Sequence, residues 1–387
     1  TYIDEANYDI INRNIPEQVF RAYYRNILKP LDQAKLLIAD DPLTPAETEA
    51  QKQNKLLIID ILEVYCYHNL VNIFGDVPYT EAIDYENISP VYDDAATIYT
   101  DLLSRLNADI SGLDAGAGSY VQADVVYGGD VASWITFANS LKLKIAIHLA
   151  DVNESVAQSN VEAAVTAGVF TSAADNAYFA YAGATPNANP IYEDLVASGR
   201  KDFVPANTIV DAMFALNDPR MPYYFEDQID GAWVGGQYGY SNTYVDCSHI
   251  NSRILAPDYH GIIMTYTEVL FYLAEAAERG WTVGMTAQEA YDAGVQASFD
   301  YWGAGDATTY LTDDAPFVDM NSIAEQSWIA NYARGMVGYN TYRRLDWPLM
   351  NVAETPETGG PVPTRFTYPV NEQTLNADNY YSAAEAI

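Results

Sequence analysis

The stretch Gly231-Ala232-Trp233-Val234-Gly235-Gly236-Gln237-Tyr238-Gly239-Tyr240-Ser241-Asn242-Thr243-Tyr244 gathers one tryptophan, three tyrosines and four glycines into a single short segment. Glycine lets the backbone fold tightly, and little nearby apolar sequence is available to cover the rings. An aromatic ring left half in water presents a flat apolar face, which for Tyr and Trp ends in a polar tip. Such a face can stack on the C–H side of a pyranose while neutral groups hydrogen-bond the sugar hydroxyls. Trp233, Tyr238 and Tyr240 are the candidate planes, with Gln237 and Asn242 as the neutral partners. Trp302, at a helix end before Gly303-Ala304-Gly305, is a reserve plane, and Tyr79 with Tyr85 forms a third group. The competing reading is that these aromatics pack loops onto a scaffold.

Groups suited to bond-making chemistry are sparse. The four histidines (His68, His148, His249, His260) show no metal-ligand spacing, and Ser248-His249 is not a triad. There is no glycine-rich phosphate loop and no Asp-x-Asp-x-Asp-Gly calcium loop, so no cofactor or metal is expected. The 53 acidic residues could supply a glycosidase pair only if two stood at the right separation, which a sequence does not give. Glu268, Glu275 and Glu278 fall on one helix and read as a solvated or arginine-paired face. Asp218-Pro219-Arg220 reads as a helix-to-loop turn fixed by a carboxylate–guanidinium contact. Arg343-Arg344-Leu345-Asp346-Trp347-Pro348 reads as a structural ion pair rather than an anion site.

Composition sets further bounds. The 387 residues carry 19 basic against 53 acidic side chains, a formal charge of -34, with no basic run. A surface that neutralises nucleic-acid phosphates is excluded on that ground, and an anionic membrane surface would repel the chain. Tyrosine is abundant, at 32 against 12 Phe and 6 Trp, a balance suited to half-wet surfaces. Cys66 and Cys247 are too few for a disulfide framework, and Cys66 sits in an apolar helical run as a small buried thiol. No run of 18 apolar residues occurs. Thr1 begins inside a polar segment with no signal peptide, which reads as a processed or trimmed product.

The elements that must position these residues are mostly helical. Phe20, Tyr23, Tyr24, Ile27, Leu28 and Leu31 recur at helical spacing. Thr44-Pro45-Ala46-Glu47 reads as the start of a helix that runs to Phe74 and stops at Gly75. Further helices are expected at Ala95–Leu113, after an Asp130 cap through Leu149, and at Val156–Ala167. Residues 169–263 alternate short aromatic segments with Gly, Pro and Asn clusters, a loop-rich insertion interrupted by a helix over Asn207–Leu216. Helices resume at Thr267–Gly280 and at Ala290–Trp302, the latter opened by the Thr286/Glu289 capping box. Small residues at Ala274, Ala277, Gly294 and Ala297 let this pair approach closely, like a tetratricopeptide unit. The expected fold is mainly α: one domain over 1–387, with a helical scaffold (1–168 and 264–387) and the insertion 169–263.

Five segments, in order, carry a family resemblance. They are Asn69 to Ala82 with its Gly75-Asp76-Val77-Pro78-Tyr79 core, and Trp134 to Lys144 with Phe137-Ala138-Asn139-Ser140-Leu141. Asp202-Phe203-x-Pro205 with Leu216-Asn217-Asp218-Pro219-Arg220 is the third. Thr267 to Gly280 with Ala274-Glu275-Ala276 is the fourth, and Arg365 to Glu372 with Asn376 the last. Together they resemble the SusD/RagB-like family, SusD-like branch: surface glycan-binding lipoproteins of the Bacteroidetes outer membrane. Lysine stands at Lys144 where the family pattern has arginine, and the family's lipobox cysteine and leading segment are missing.

The resemblance implies a tetratricopeptide-like scaffold and a binding role without catalysis. It also implies capture of a poly- or oligosaccharide, a lipid anchor at the outer-membrane surface, and a SusC-like TonB-dependent transporter as partner. It transfers no ligand residue. A charge of -34 disfavours polyuronates and sulfated chains and so favours neutral glycans. The readings set beside it are an α/α-barrel carbohydrate-active enzyme and a helical-repeat protein-interaction module.

Overall fold

The computed structural model describes residues 3–386. Helices dominate, and the strands form three short antiparallel pairs among the described residues. The chain falls into two compact units. One joins the N-terminal stretch through Tyr8 to Phe170–Val362, and the other joins Asp9–Val169 to the segment from Pro363 onward.

In the Asp9–Val169 unit, Ile15–Arg21, the π-helical Ala22–Leu28 and Lys29–Asp40 follow without a break. The long helix spans Glu49–Phe74, four residues later than the expected start. Thr48 is its cap: Thr48 Oγ1 accepts from the Gln51 N–H at 3.2 Å, and Gln51 Oε1 accepts from the Thr48 N–H at 2.9 Å. That reciprocal pair satisfies two orphan donors, whereas Thr44-Pro45 only makes a preceding turn, closed by Glu47 N–H to the Thr44 carbonyl. On length and composition this helix could cross a membrane, yet 67% of its most apolar window is buried. It is a core helix. Ile61, Val64, Leu70 and Phe74 lie on its buried face, packed by the Ala95–Gly112 and Val131–Ile147 helices. Asp94, Asp130 and Asn153 cap their helices through side-chain oxygens.

The Gly75-Asp76-Val77-Pro78 turn is a structural junction. Gly75 adopts φ 84° to end the helix, where a side chain would be strained. Asp76 Oδ1 accepts from the Ala95 N–H at 2.9 Å, and the Asp76 carbonyl accepts from the Tyr368 hydroxyl at 2.7 Å. Phe366 N–H reaches the Ile73 carbonyl at 2.8 Å, so the Arg365-to-Glu372 signature is stitched to this turn. Trp134 is buried and donates Nε1–H to Asp124 at 2.7 Å, a core residue as its helical spacing suggests.

In the Phe170–Val362 unit, Tyr266–Glu278 and Ala287–Trp302 pack extensively on one another, with Met320–Ala330 packed on both. A Cβ on Gly294 would stand 3.1 Å from the Phe271 ring, so the small residue sets the approach. Of the three glutamates on the first helix, Glu268 and Glu275 are buried and arginine-paired, while Glu278 is exposed. Glu268 meets Arg334, and Glu275 meets both Arg279, at 3.1 Å, and Arg344. Loop-region and helical residues share one core here, including Met213, Tyr224, Trp302 and Ile329. Residues 264–362 therefore group with the loop-rich stretch in one compact unit.

Candidate functional site

The glycine-rich loop is built by close backbone approaches. Gly236 bridges Ala206, and a Cβ on Gly235 would lie 2.5 Å from the Asn207 Cα, which excludes a side chain there. Asn207 Oδ1 accepts from the Tyr238 N–H at 3.0 Å and from Asn351 Nδ2 at 3.2 Å. Gly239 (φ 81°) lets its carbonyl accept from Asn7 Nδ2 at 2.9 Å. Buried Asn7 also takes the Thr355 N–H on Oδ1 at 2.9 Å. The Tyr8 hydroxyl accepts from the Ala353 N–H at 3.2 Å. One small region thus ties together the loop, the 351–357 strap and the N-terminal stretch.

Tyrosines converge on it. Tyr238 is half-buried, and burial first, then Tyr8 and Tyr339, pushes its phenol up to about 12. Tyr339 lies on the Gly335–Leu345 helix, with Tyr342 at 6.4 Å between ring centroids and the Arg343 guanidinium 4.9 Å over its face. Burial raises the Tyr339 phenol too, against the pull of Arg343. Tyr240 is 38% exposed, and its hydroxyl meets Glu354 and Gln237, the carboxylate raising its pKa. The result is a row of half-exposed rings (Tyr8, Tyr238, Tyr339, Tyr342) beside exposed Tyr240 and the exposed amide Gln237. Nearby, the Tyr244 ring stacks on His249 at 3.9 Å, and His249 Nδ1 lies 2.7 Å from Asp227.

Several sequence candidates take other roles. Trp302 is 2% exposed in the core against Tyr224 at 4.4 Å, so it cannot serve as a stacking plane. Trp233 is partly buried, with Phe225 at 6.1 Å. Asn242 uses its amide on its own loop: Oδ1 accepts from the Gln237 N–H, and Nδ2 donates to the Gln237 and Tyr240 carbonyls. These bonds shape the loop. Tyr79 and Tyr85 belong to the other unit. The Tyr79 hydroxyl is held by Asp101 and by Arg105 at 2.9 Å, and its ring stands edge-on to Tyr67 at 4.7 Å. Tyr85 is 82% exposed. Tyr8, Tyr339 and Tyr342 were not legible as partners of the loop, because contact across such sequence distances leaves no local signal.

The two cysteine side chains serve packing. Cys66 and Cys247 are free and buried, and burial pushes the Cys66 thiol up to about 12. Among the described residues no cluster of three or more His, Cys, Asp or Glu side chains is arranged to hold a metal.

Paired helices, short strand pairs and a tyrosine-bearing loop region define a mainly α, tetratricopeptide-like protein with half-exposed aromatic rings on one loop surface. The family described as "SusD-like_2: Starch-binding associating with outer membrane" matches residues 1–369, and the chain belongs to it. The chain is similar to a solved chitin-binding protein, at 25% identity and TM-score 0.83 over 96% of this chain and 85% of that one. A SusD homolog from Bacteroides uniformis gives 25% identity and TM-score 0.82, covering 94% and 82% of the two chains. A chitin-binding SusD homolog from Flavobacterium johnsoniae gives 24% and 0.81, covering 95% and 83%. No curated protein matches the chain.

Proposed function

We propose that this protein is a non-catalytic carbohydrate-binding protein that captures a neutral poly- or oligosaccharide on the Tyr238–Tyr240 surface. The observation that carries the reading is the row of half-exposed tyrosines around that loop, with the neutral amide Gln237 beside Tyr240. Flat aromatic faces suit the C–H side of a sugar, and neutral amides suit its hydroxyls. A net charge of -34 opposes anionic chains. Family membership and the chitin-binding neighbour make chitin oligosaccharides the first probe. By family, the protein works at the outer-membrane surface through a lipid anchor and passes its ligand to a SusC-like TonB-dependent transporter.

Affinity electrophoresis against chitin derivatives, starch, other neutral glycans and polygalacturonate tests the reading. A neutral glycan should retard the wild-type protein, without release of reducing ends on incubation. Retardation by none of them, or steady release of reducing ends, would overturn it.

A further inference from the structure

A second recess lies wholly within the Asp9–Val169 unit and its C-terminal segment, with a volume of about 410 Å³. That is the size of an ordinary ligand pocket. Its floor is the helix carrying Arg21 and Arg25, and its walls are the loop after Pro78 and the Glu372–Leu375 turn. The walls are pre-formed. Lys29 Nζ holds the Ile83 carbonyl at 2.9 Å, Asn376 Nδ2 holds the Pro90 carbonyl at 2.7 Å, and Glu81 accepts from the Val91 N–H at 3.1 Å.

Two features of this recess are unexplained by folding. Arg21 and Arg25 are exposed and have no ion-pair partner among the described residues, although acidic residues outnumber basic ones 53 to 19. Ile88 and Leu375 line the same recess at 85% and 68% exposure, where aliphatic side chains gain nothing from water. Of the two acidic side chains present, Glu372 accepts the Tyr92 hydroxyl at 2.8 Å, and Glu17 lies one turn before Arg21.

We infer that this recess binds a peptide segment of a partner protein, with an acidic side chain on Arg21 and Arg25 and a neighbouring aliphatic side chain against Ile88 and Leu375. A sugar fits less well, because the aromatic groups here are already used. Phe20 packs on Phe74 and Tyr24, each at 4.9 Å, and the Tyr24 hydroxyl donates to the Pro78 carbonyl at 2.6 Å. Guanidinium groups pair well with carboxylates, and exposed aliphatic patches mark protein contacts. The inference is independent of the carbohydrate reading, whose tyrosines lie in the other unit.

The test is to pan a random octapeptide library against the full chain and against its Arg21→Gln/Arg25→Gln double variant. The wild type should select peptides with Asp or Glu beside Leu or Ile, and the double variant should not. A selected, fluorescein-labelled peptide should bind the double variant about tenfold more weakly by anisotropy, the sum of two modest ion pairs. Ile88→Ser should weaken it as well. All three side chains are exposed, so melting temperature and neutral-glycan binding should stay at wild-type levels. Failure to select any motif, selection that ignores the arginine changes, or arginine-dependent binding of oligogalacturonate without peptide binding would each overturn the inference.

Discussion

Arg220 and Asp218, two residues apart, form an ion pair at 2.6 Å with neither side chain exposed. The Arg220 N–H also donates to Asp218 Oδ1 at 2.8 Å, which closes the turn after the Asn207–Ala215 helix. Buried charges are tolerated only when their remaining hydrogen-bonding positions are filled, and here they are. Arg220 donates to Ser298 at 2.9 Å and to Gln326 at 2.7 Å, and the Tyr310 hydroxyl donates to Asp218 at 3.0 Å. The Phe299 ring lies 5.1 Å from the guanidinium. One local turn thereby locks the loop region to the Ala287–Trp302 and Met320–Ala330 helices.

Breaking that pair should be costly. Asp218→Asn or Arg220→Met leaves one buried charge uncompensated, a loss of about 3–5 kcal/mol in stability. Chemical denaturation should show it as a lower midpoint with an unchanged slope. A loss under about 1 kcal/mol would mean that the surrounding hydrogen bonds, not the ion pair, hold the turn.

The Gly235 backbone sits against Asn207, whose side chain positions Tyr238. Gly235→Ala must move that backbone, so Tyr238 and Tyr240 should lose their relation to Tyr339. Neutral-glycan affinity is expected to fall by about tenfold, while the far-UV circular dichroism keeps its helical form. Affinity electrophoresis beside circular dichroism separates the two outcomes; intact binding would place the ligand elsewhere.

Most of the helical order was readable because caps and periodicity are local. Asp130 and Thr286 cap as their residue types require, and Asp218-Pro219-Arg220 pairs as its chemistry suggests. The start of the long helix was misplaced because Thr44-x-x-Glu47 and Thr48-x-x-Gln51 both read as capping boxes, and the helix begins at the second, where both capping bonds are made. Exposure was less legible. Trp302 looked free beside Gly303, but its ring points into a core supplied by Met213, Tyr224 and Ile329 from distant segments. Asn242 looked available, yet its loop consumes its amide. The tyrosine row depends on three chain segments meeting, which no single window contains.

Replacing the rings tests the surface directly. Stacking contributes on the order of 1 kcal/mol per ring, so Tyr240→Ala and Tyr339→Ala should each weaken neutral-glycan binding about fivefold. Tyr240→Phe keeps the face and loses only the hydroxyl's contacts with Glu354 and Gln237, so it should bind nearly as wild type. Titration calorimetry with the best glycan of the panel measures all three. Wild-type affinity in both alanine variants would remove this surface from consideration, and Trp233 would become the next plane to test.

Asp109 and Asp60 give the protein a distinctive acid response. Burial, then the Asp60 charge, pushes the Asp109 carboxyl up to about 8. Burial alone would raise Asp60 as well, but Arg105 at 2.9 Å and Lys35 at 2.6 Å outweigh it and hold Asp60 down to about 2. Glu63, raised by burial, adds in the same sense as Asp109. Between its unfolded value of 3.8 and about 8, Asp109 keeps a proton in the folded state that it releases on unfolding. Stability therefore falls as pH rises through that window, while the Asp60 contribution is lost only as pH drops from 3.8 toward about 2. Asp109→Asn keeps a neutral group in place and should flatten the fall of melting temperature between about pH 5 and pH 8 relative to wild type. Acidic groups remote from this pair act equally on both proteins, so the difference between the two curves reports Asp109 together with its neighbour Asp60. Parallel curves across that range would show that Asp109 ionises without cost in the folded protein.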